Sequence, residues 1–367
     1  MADLDLNSKT RNFSVELLHH ALQDVKGDVM LSPYVIWSLL VSMAYESLGA
    51  TREQVSKVFL LTENRSEFVE QFRNLQTAVL VNGGVNVTSQ NFLFYDEDLH
   101  LYSYSIRRLE RDFSFVTRSF NFKKPAEAAI QAFTTLEQCG MARWFLIKFT
   151  DFVDASMIMY NCLTFKAKWF KPFEKSEEKL YMKTRLRSSN FESLHASVTE
   201  LPYDGGKHCM LLIRPHNRYG LKQVFRNLRE ESLKNIFSKL QSDADELGLK
   251  EVEEELPQGE INSHVILNKP LINMGLSDVF DQNSSNFDEF AEDKMYIHEI
   301  AQRVSVTFEQ YQTIVQATTP SFEMKKRIPS KTIAVEDPFI FLIMETSTAT
   351  VLFSGSYSTK DIYNSTG

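Results

Sequence analysis

The sequence is poor in the residues and runs that would assign it to several broad classes. Only three cysteines occur in 367 residues, Cys139, Cys162 and Cys209. An odd number at wide spacing makes neither a disulfide framework nor a metal cluster, so they read as free thiols packed as small apolar side chains. No apolar run approaches the roughly 20 residues that span a bilayer. The strongest runs, 35–43 and 339–344, have the length of core elements, and no membrane partner is expected. The start, Met1-Ala2-Asp3-Leu4-Asp5, has no basic stretch leading into an apolar one, so no signal peptide is visible. Positive charge is also short: a net charge of −8 argues against nucleic acid as a partner.

Catalytic motifs are missing as well. The chain has no G-x-x-x-x-G-K-[ST], no G-x-G-x-x-G after a strand, no H-E-x-x-H and no G-x-S-x-G. Asp96-Glu97-Asp98 lacks the glycine and closing glutamate of a calcium loop and reads as a solvated turn. His19 and His20 hold adjacent helical positions that face apart. The expectation is no enzyme, no metal and no cofactor.

What is present is a large apolar inventory: 43% hydrophobic residues, with 28 Phe and 13 Tyr, enough for a sizeable core. Phe13, Leu17, Leu18 and Leu22 recur at helical steps. Ser32-Pro33 opens a second helix that is apolar nearly all round and therefore buried, ending at Leu48-Gly49. The run 156–165 reads as a central strand buried on both faces. The stretch 221–240 reads as one amphipathic helix, 243–255 as an exposed acidic segment, and the last 70 residues as β-rich. Helices early and strands late, with no Pro/Gly-rich boundary, predict an α+β fold over residues 1–367 as a single, monomeric domain. N-x-[ST] sequons at Asn12, Asn64, Asn86, Asn283 and Asn364 lean toward a secreted, extracellular glycoprotein whose signal has been removed; a cytoplasmic chain is the alternative.

Five segments carry a resemblance. They are Leu31-Ser32-Pro33-Tyr34 with Leu48-Gly49-Ala50-Thr51, Asn161 to Trp169 with Pro172-Phe173, Leu201-Pro202-Tyr203 with 210–215, Met274 to Phe280, and Asp337 to Ile343 with Leu352-Phe353-Ser354-Gly355. In this order, over some 320 residues, they resemble the serpin family. The resemblance implies helices packed around a large mixed or antiparallel central sheet with smaller sheets beside it, and a metastable native state. It also implies an exposed reactive-centre loop at about 309–329. In inhibitory members a serine protease cleaves that loop and is trapped as an acyl-enzyme when the loop enters the sheet as a new strand.

The resemblance places the hinge at Glu309, Gln310, Tyr311, Gln312 and Thr313, with Gln310 where a glycine is usual and Tyr311 where a small hydroxyl residue is usual. Strand alternation then turns Tyr311, Thr313, Val315, Ala317 and Thr319 inward, and the Tyr311 ring obstructs entry. The basic cluster Met324, Lys325, Lys326, Arg327 and Ile328 forms the reactive site and suits a trypsin-like protease with an acidic specificity pocket. Counting forward from the hinge puts the scissile position near Met324; counting back from Pro338 puts it near Arg327. Two functions follow: a serine protease inhibitor or substrate, or a non-inhibitory binding, carrier or signalling protein on the same fold.

Overall fold

The computed structural model describes residues 6–24, 28–61, 64–80, 84–140, 147–176, 179–216, 219–318 and 338–358. Among them the chain runs α1 (Leu6–Asp24), β1 (Val29–Leu31), α2 (Pro33–Ala44), α3 (Gly49–Phe59), α4 (Arg65–Leu80), β2 (Val85–Asp96), α5 (Ser103–Phe113), β3 (Phe115–Phe120) and α6 (Pro125–Gln138). There follow β4 (Met157–Lys168), β5 (Glu174–Lys175), β6 (Lys179–Leu186), β7 (Ser188–Phe191), β8 (Ala196–Pro202), β9 (His208–Pro215), α7 (Leu221–Glu230) and α8 (Leu233–Leu247). The last elements are β10 (Lys250–Pro257), β11 (Gly259–Ile266), α9 (Asn268–Asn273), β12 (Ala301–Phe308), β13 (Gln312–Thr318), β14 (Phe339–Glu345) and β15 (Thr350–Tyr357).

Three sheets organise these strands. The central one has the order β11-β12-β13-β4-β2-β3, and the second β1-β15-β14-β9-β8-β7. The third, β10-β6-β5, is small. Helix α2 starts at Pro33, whose fixed φ suits a first helical turn, and every residue in it is buried. Its two internal serines can be buried because Ser38 and Ser42 donate to the carbonyls of Val35 and Leu39 at 3.0 and 2.6 Å. Gly49 takes a left-handed φ of +54°, at the entrance to α3 and not at the end of α2.

Just past α2, Glu46 is fully buried. It accepts from Arg108 and Ser105 at 2.8 Å each and pairs with Arg65 at 3.4 Å. Burial pushes its carboxyl above the usual range, opposed by those partners. This one carboxylate ties α2 to α4 and α5, and Arg65 also reaches Asp112 at 3.3 Å.

Several sequence expectations change. The reading of one helix over 221–240 gives way to two, because Glu231 is extended (φ −96°, ψ 128°) and α8 restarts after Ser232. The segment 243–255 is the end of α8 followed by β10, paired along its length with β6. There Glu254 is buried against Arg214 at 2.8 Å, while Glu253 and Glu255 pair with Lys183 and Lys179. His19 and His20 do not face apart; their rings meet edge to face with centroids 5.2 Å apart. Cys162 and Cys209 are buried free thiols as expected, but Cys139, at the end of α6, is exposed.

The central sheet packs on both faces. Leu163, Phe165 and Ala167 of β4 join the main core, whereas Ile158, Tyr160 and Cys162 face the other way. Together with Phe92 and Phe94 of β2, that second set is covered by Ala128, Ala132 and Leu136 of α6. Helix α6 therefore sits over part of the sheet.

Candidate functional site

The segment expected as the start of an exposed loop lies in the middle of the central sheet. Strand β13 is antiparallel to both neighbours, with Val315 opposite Val306 of β12 and Phe165 of β4. Exposure therefore fails for Gln312–Thr318. The reactive-site residues Met324, Lys325, Lys326, Arg327 and Ile328 fall outside the described residues, as does Thr319.

Alternation explains which side chains matter. Thr313, Val315 and Ala317 point into the main core and are fully buried. Gln312, Ile314 and Gln316 lie half-buried on the other face, opposite Lys168, Lys166 and Thr164 of β4. Both lysines are exposed. Threonine, valine and alanine fit a pleated slot, so the ladder gains two sets of backbone hydrogen bonds without burying a charge.

Tyr311 is not the obstacle predicted. It stands in the turn before β13, with 60% of its surface exposed. That turn is held by backbone from the end of β4: Trp169 N donates to Tyr311 O at 3.0 Å, and Phe173 N donates to Gln310 O at 2.9 Å. The Trp169 indole N–H donates to Glu309 O at 3.1 Å. Inside the turn, Glu309 N donates to Gln312 O at 2.9 Å, and the Gln312 amide donates to the Glu309 carboxylate at 2.6 Å. The five hinge residues thus divide: Glu309, Gln310 and Tyr311 form the turn, and Gln312 and Thr313 begin the strand. The first inward-facing residue is Thr313, a small hydroxyl residue, two positions later than the sequence reading had it.

Beneath β13 lies a buried aromatic group that sequence reasoning did not single out for a role. Tyr203 stacks on Trp169 with centroids 4.7 Å apart, and Phe165 meets Tyr203 edge to face at 5.1 Å and His208 at 5.8 Å. Tyr203 and His208 are fully buried. Burial pushes the phenol well above its ordinary range and the imidazole below its own, so both are neutral at pH 7. Leu201-Pro202-Tyr203 was recognised only as a family segment; nothing in sequence could show that Tyr203 underlies the slot.

At the other end of β4, below α6, Asp151 is buried in a short 3-10 helix, Phe149–Phe152. One carboxylate oxygen accepts from Lys148 N at 3.0 Å and from the Tyr160 hydroxyl at 3.4 Å, while Oδ1 has no partner. Burial pushes this carboxyl up to about 6, against the pull of those hydrogen bonds. Of the sequon asparagines, Asn12, Asn64, Asn86 and Asn283 are exposed, and Asn364 is outside the described residues. Among the described residues no helix is long and apolar enough to cross a membrane.

The site is thus an interior strand, formed from the residues expected as the hinge, in a six-stranded central sheet that lies beside a second six-stranded sheet whose β14 and β15 are wholly buried. Residues 8–359 match the family model for serpins, serine protease inhibitors, so the chain belongs to the serpin family. Relatives include an uncharacterised serpin-like protein of Methanosarcina acetivorans, 25% identical over 93% of this chain and 84% of its own length. Human plasminogen activator inhibitor 2 is 24% identical over 94% and 97%, and rat leukocyte elastase inhibitor A 23% over 95% and 98%. Among solved structures, cleaved Serpin 42Da matches with a TM-score of 0.78 at 18% identity, covering 96% of this chain and 97% of its own. The thermophilic serpin Tengpin in the latent state matches at 0.77 and 17%, with 96% and 97% covered. Serpins as a family act on serine proteases, and the relatives include protease inhibitors.

Proposed function

We propose that this chain is a monomeric, extracellular serpin that offers a basic bait loop to trypsin-like serine proteases and inhibits them by inserting residues 312–318 into its central sheet. As bait, the segment lies outside the sheet; the inserted strand is the end state. The covalent chemistry belongs to the protease: its serine attacks the scissile carbonyl, the new amine departs, and the acyl bond remains while the strand enters.

The observation that carries this reading is the fit of Thr313, Val315 and Ala317, all fully buried, in the slot between β12 and β4. Taking Thr313 as the small hydroxyl residue of the hinge moves the forward count from Met324 to Lys326, one residue from the backward count at Arg327. That agreement favours the basic cluster 324–328 as the reactive site. Four exposed sequon asparagines favour an extracellular protein carrying glycans at Asn12, Asn64, Asn86 and Asn283, with Asn364 as a fifth site.

One observation favours the second reading, a non-inhibitory binding protein. Gln312 stands immediately before Thr313, where the family's glycine is expected, and its amide is bonded to Glu309. A glutamine there lacks the backbone freedom of a glycine and so slows entry. Incubation with trypsin separates the two: a gel-stable complex, with a large rise in melting temperature after cleavage, supports the inhibitor. Clean cleavage with neither leaves the binder.

A further inference from the structure

The slot contains a pair of groups that the fit of apolar side chains does not explain. Thr313 and Tyr203 are both fully buried, and neither hydroxyl closes a hydrogen bond. Both lie at the same end of β4: Tyr203 bridges to Trp169 and its ring meets Phe165, while Thr313 is paired with Ala167, the residue between them on that face of the strand. Two buried hydroxyls in one part of the slot, neither with another partner, are costly apart and favourable once paired.

Tyr203 cannot turn elsewhere. Its ring is held between Trp169 and Phe165. Its backbone is fixed on both sides, because Tyr203 N donates to His208 O at 3.0 Å and Gly206 N donates to Tyr203 O at 3.2 Å. The hydroxyl is thus presented at one level of the slot, where β13 brings Thr313 opposite Phe308 of β12 and Ala167 of β4.

We propose that Tyr203 is a positioning residue that locks the register of the inserted strand through the hydroxyl of Thr313. A slip of one residue turns the half-buried Gln312, Ile314 and Gln316 inward and is rejected by the core. A slip of two keeps the alternation and is the harder error to reject. It places either Val315 or Tyr311 at the Tyr203 level. Valine leaves the phenol without any partner, and the Tyr311 ring does not fit beneath the ladder. The apolar side chains select the face; the hydroxyl pair selects the level.

This inference rests on the proposed function, since register matters when the strand must enter from outside. Its test does not. Tyr203→Phe, Thr313→Val, Thr313→Ser and the double variant Tyr203→Phe/Thr313→Val are unfolded in denaturant, as intact chains and after trypsin nicking. Each of the two hydroxyl-removing variants is expected to weaken folding of the strand-inserted form about tenfold, and the double variant no further than either alone. Thr313→Ser restores the parent value, which a purely steric role for Thr313 does not predict. Additive losses, or none, in both forms sink the lock. Complex formation by the parent chain is scored separately on gels. Coupling without a complex overturns the proposed function and leaves the lock standing; a complex without coupling does the reverse.

Discussion

In the sheet β1-β15-β14-β9-β8-β7, every residue of β14 and β15 is buried, whereas β12 and β13 of the central sheet alternate buried and half-buried residues. The first sheet must match its surroundings on two faces at once. Gly355 shows how closely: a Cβ there would lie 2.7 Å from the Phe341 ring and 2.8 Å from the Met30 side chain. The seam of the central sheet is less demanding. The strand between β12 and β4 fills one face with three small or β-branched side chains and leaves Gln312, Ile314 and Gln316 half-buried on the other. One sheet is therefore fixed by shape, and the other accommodates a strand of quite ordinary composition.

Gly355→Ala tests the fixed sheet and carries the largest expected effect. Overpacking against Phe341 and Met30 should cost about 3 kcal/mol, equally in intact and nicked protein, as measured by chemical denaturation. A loss confined to one form would mean that this sheet also changes when the strand enters.

The region under α6 gives an intermediate effect that depends on pH. The Asp151 carboxyl titrates in the folded protein at about 6, above its ordinary value. A raised carboxyl pKa means that the fold favours the protonated form. Its contribution is complete at pH 4 and below, and is lost as the pH rises through about 6. Asp151→Asn should therefore gain about 2 kcal/mol at pH 7.5 and almost nothing below pH 4. A gain that is flat with pH would assign the effect to packing and not to charge.

Tyr311→Ala should do least. The ring stands in the turn outside the ladder, so stability should change by less than about 0.5 kcal/mol, with the balance of trapping and turnover by trypsin unaltered. Improved trapping in this variant would restore the obstacle that the sequence suggested.

How much could be read in advance follows from the same contrast. Buried strands such as 157–168 and 339–345 announce themselves as apolar runs, and Ser32-Pro33 marks its helix, because each signal is local. The inward set Thr313, Val315 and Ala317 was legible too, since alternation has a period of two. Where the strand begins was not. A displacement of two residues preserves the alternation, so nothing in 308–318 shows that the turn keeps Tyr311 outside; hydrogen bonds from Trp169 and Phe173 decide it, some 140 residues away. The break between α7 and α8 escaped for a similar reason, as the helical period continues across Glu231-Ser232. The pairing of β10 with β6 turned an acidic stretch into a strand, with lysine partners from β6 and Arg214 from β9.

Strand β13 is bonded along both flanks. A terminal strand can peel away one hydrogen bond at a time, but a strand in the interior must be drawn out against two ladders together, so it is held far more firmly than an edge strand. If the strand enters as proposed, the molecule keeps a record of that event and answers only once. On that proposal capacity is a matter of supply: each event consumes one copy, and the rate of fresh synthesis, not turnover, sets how much can be answered.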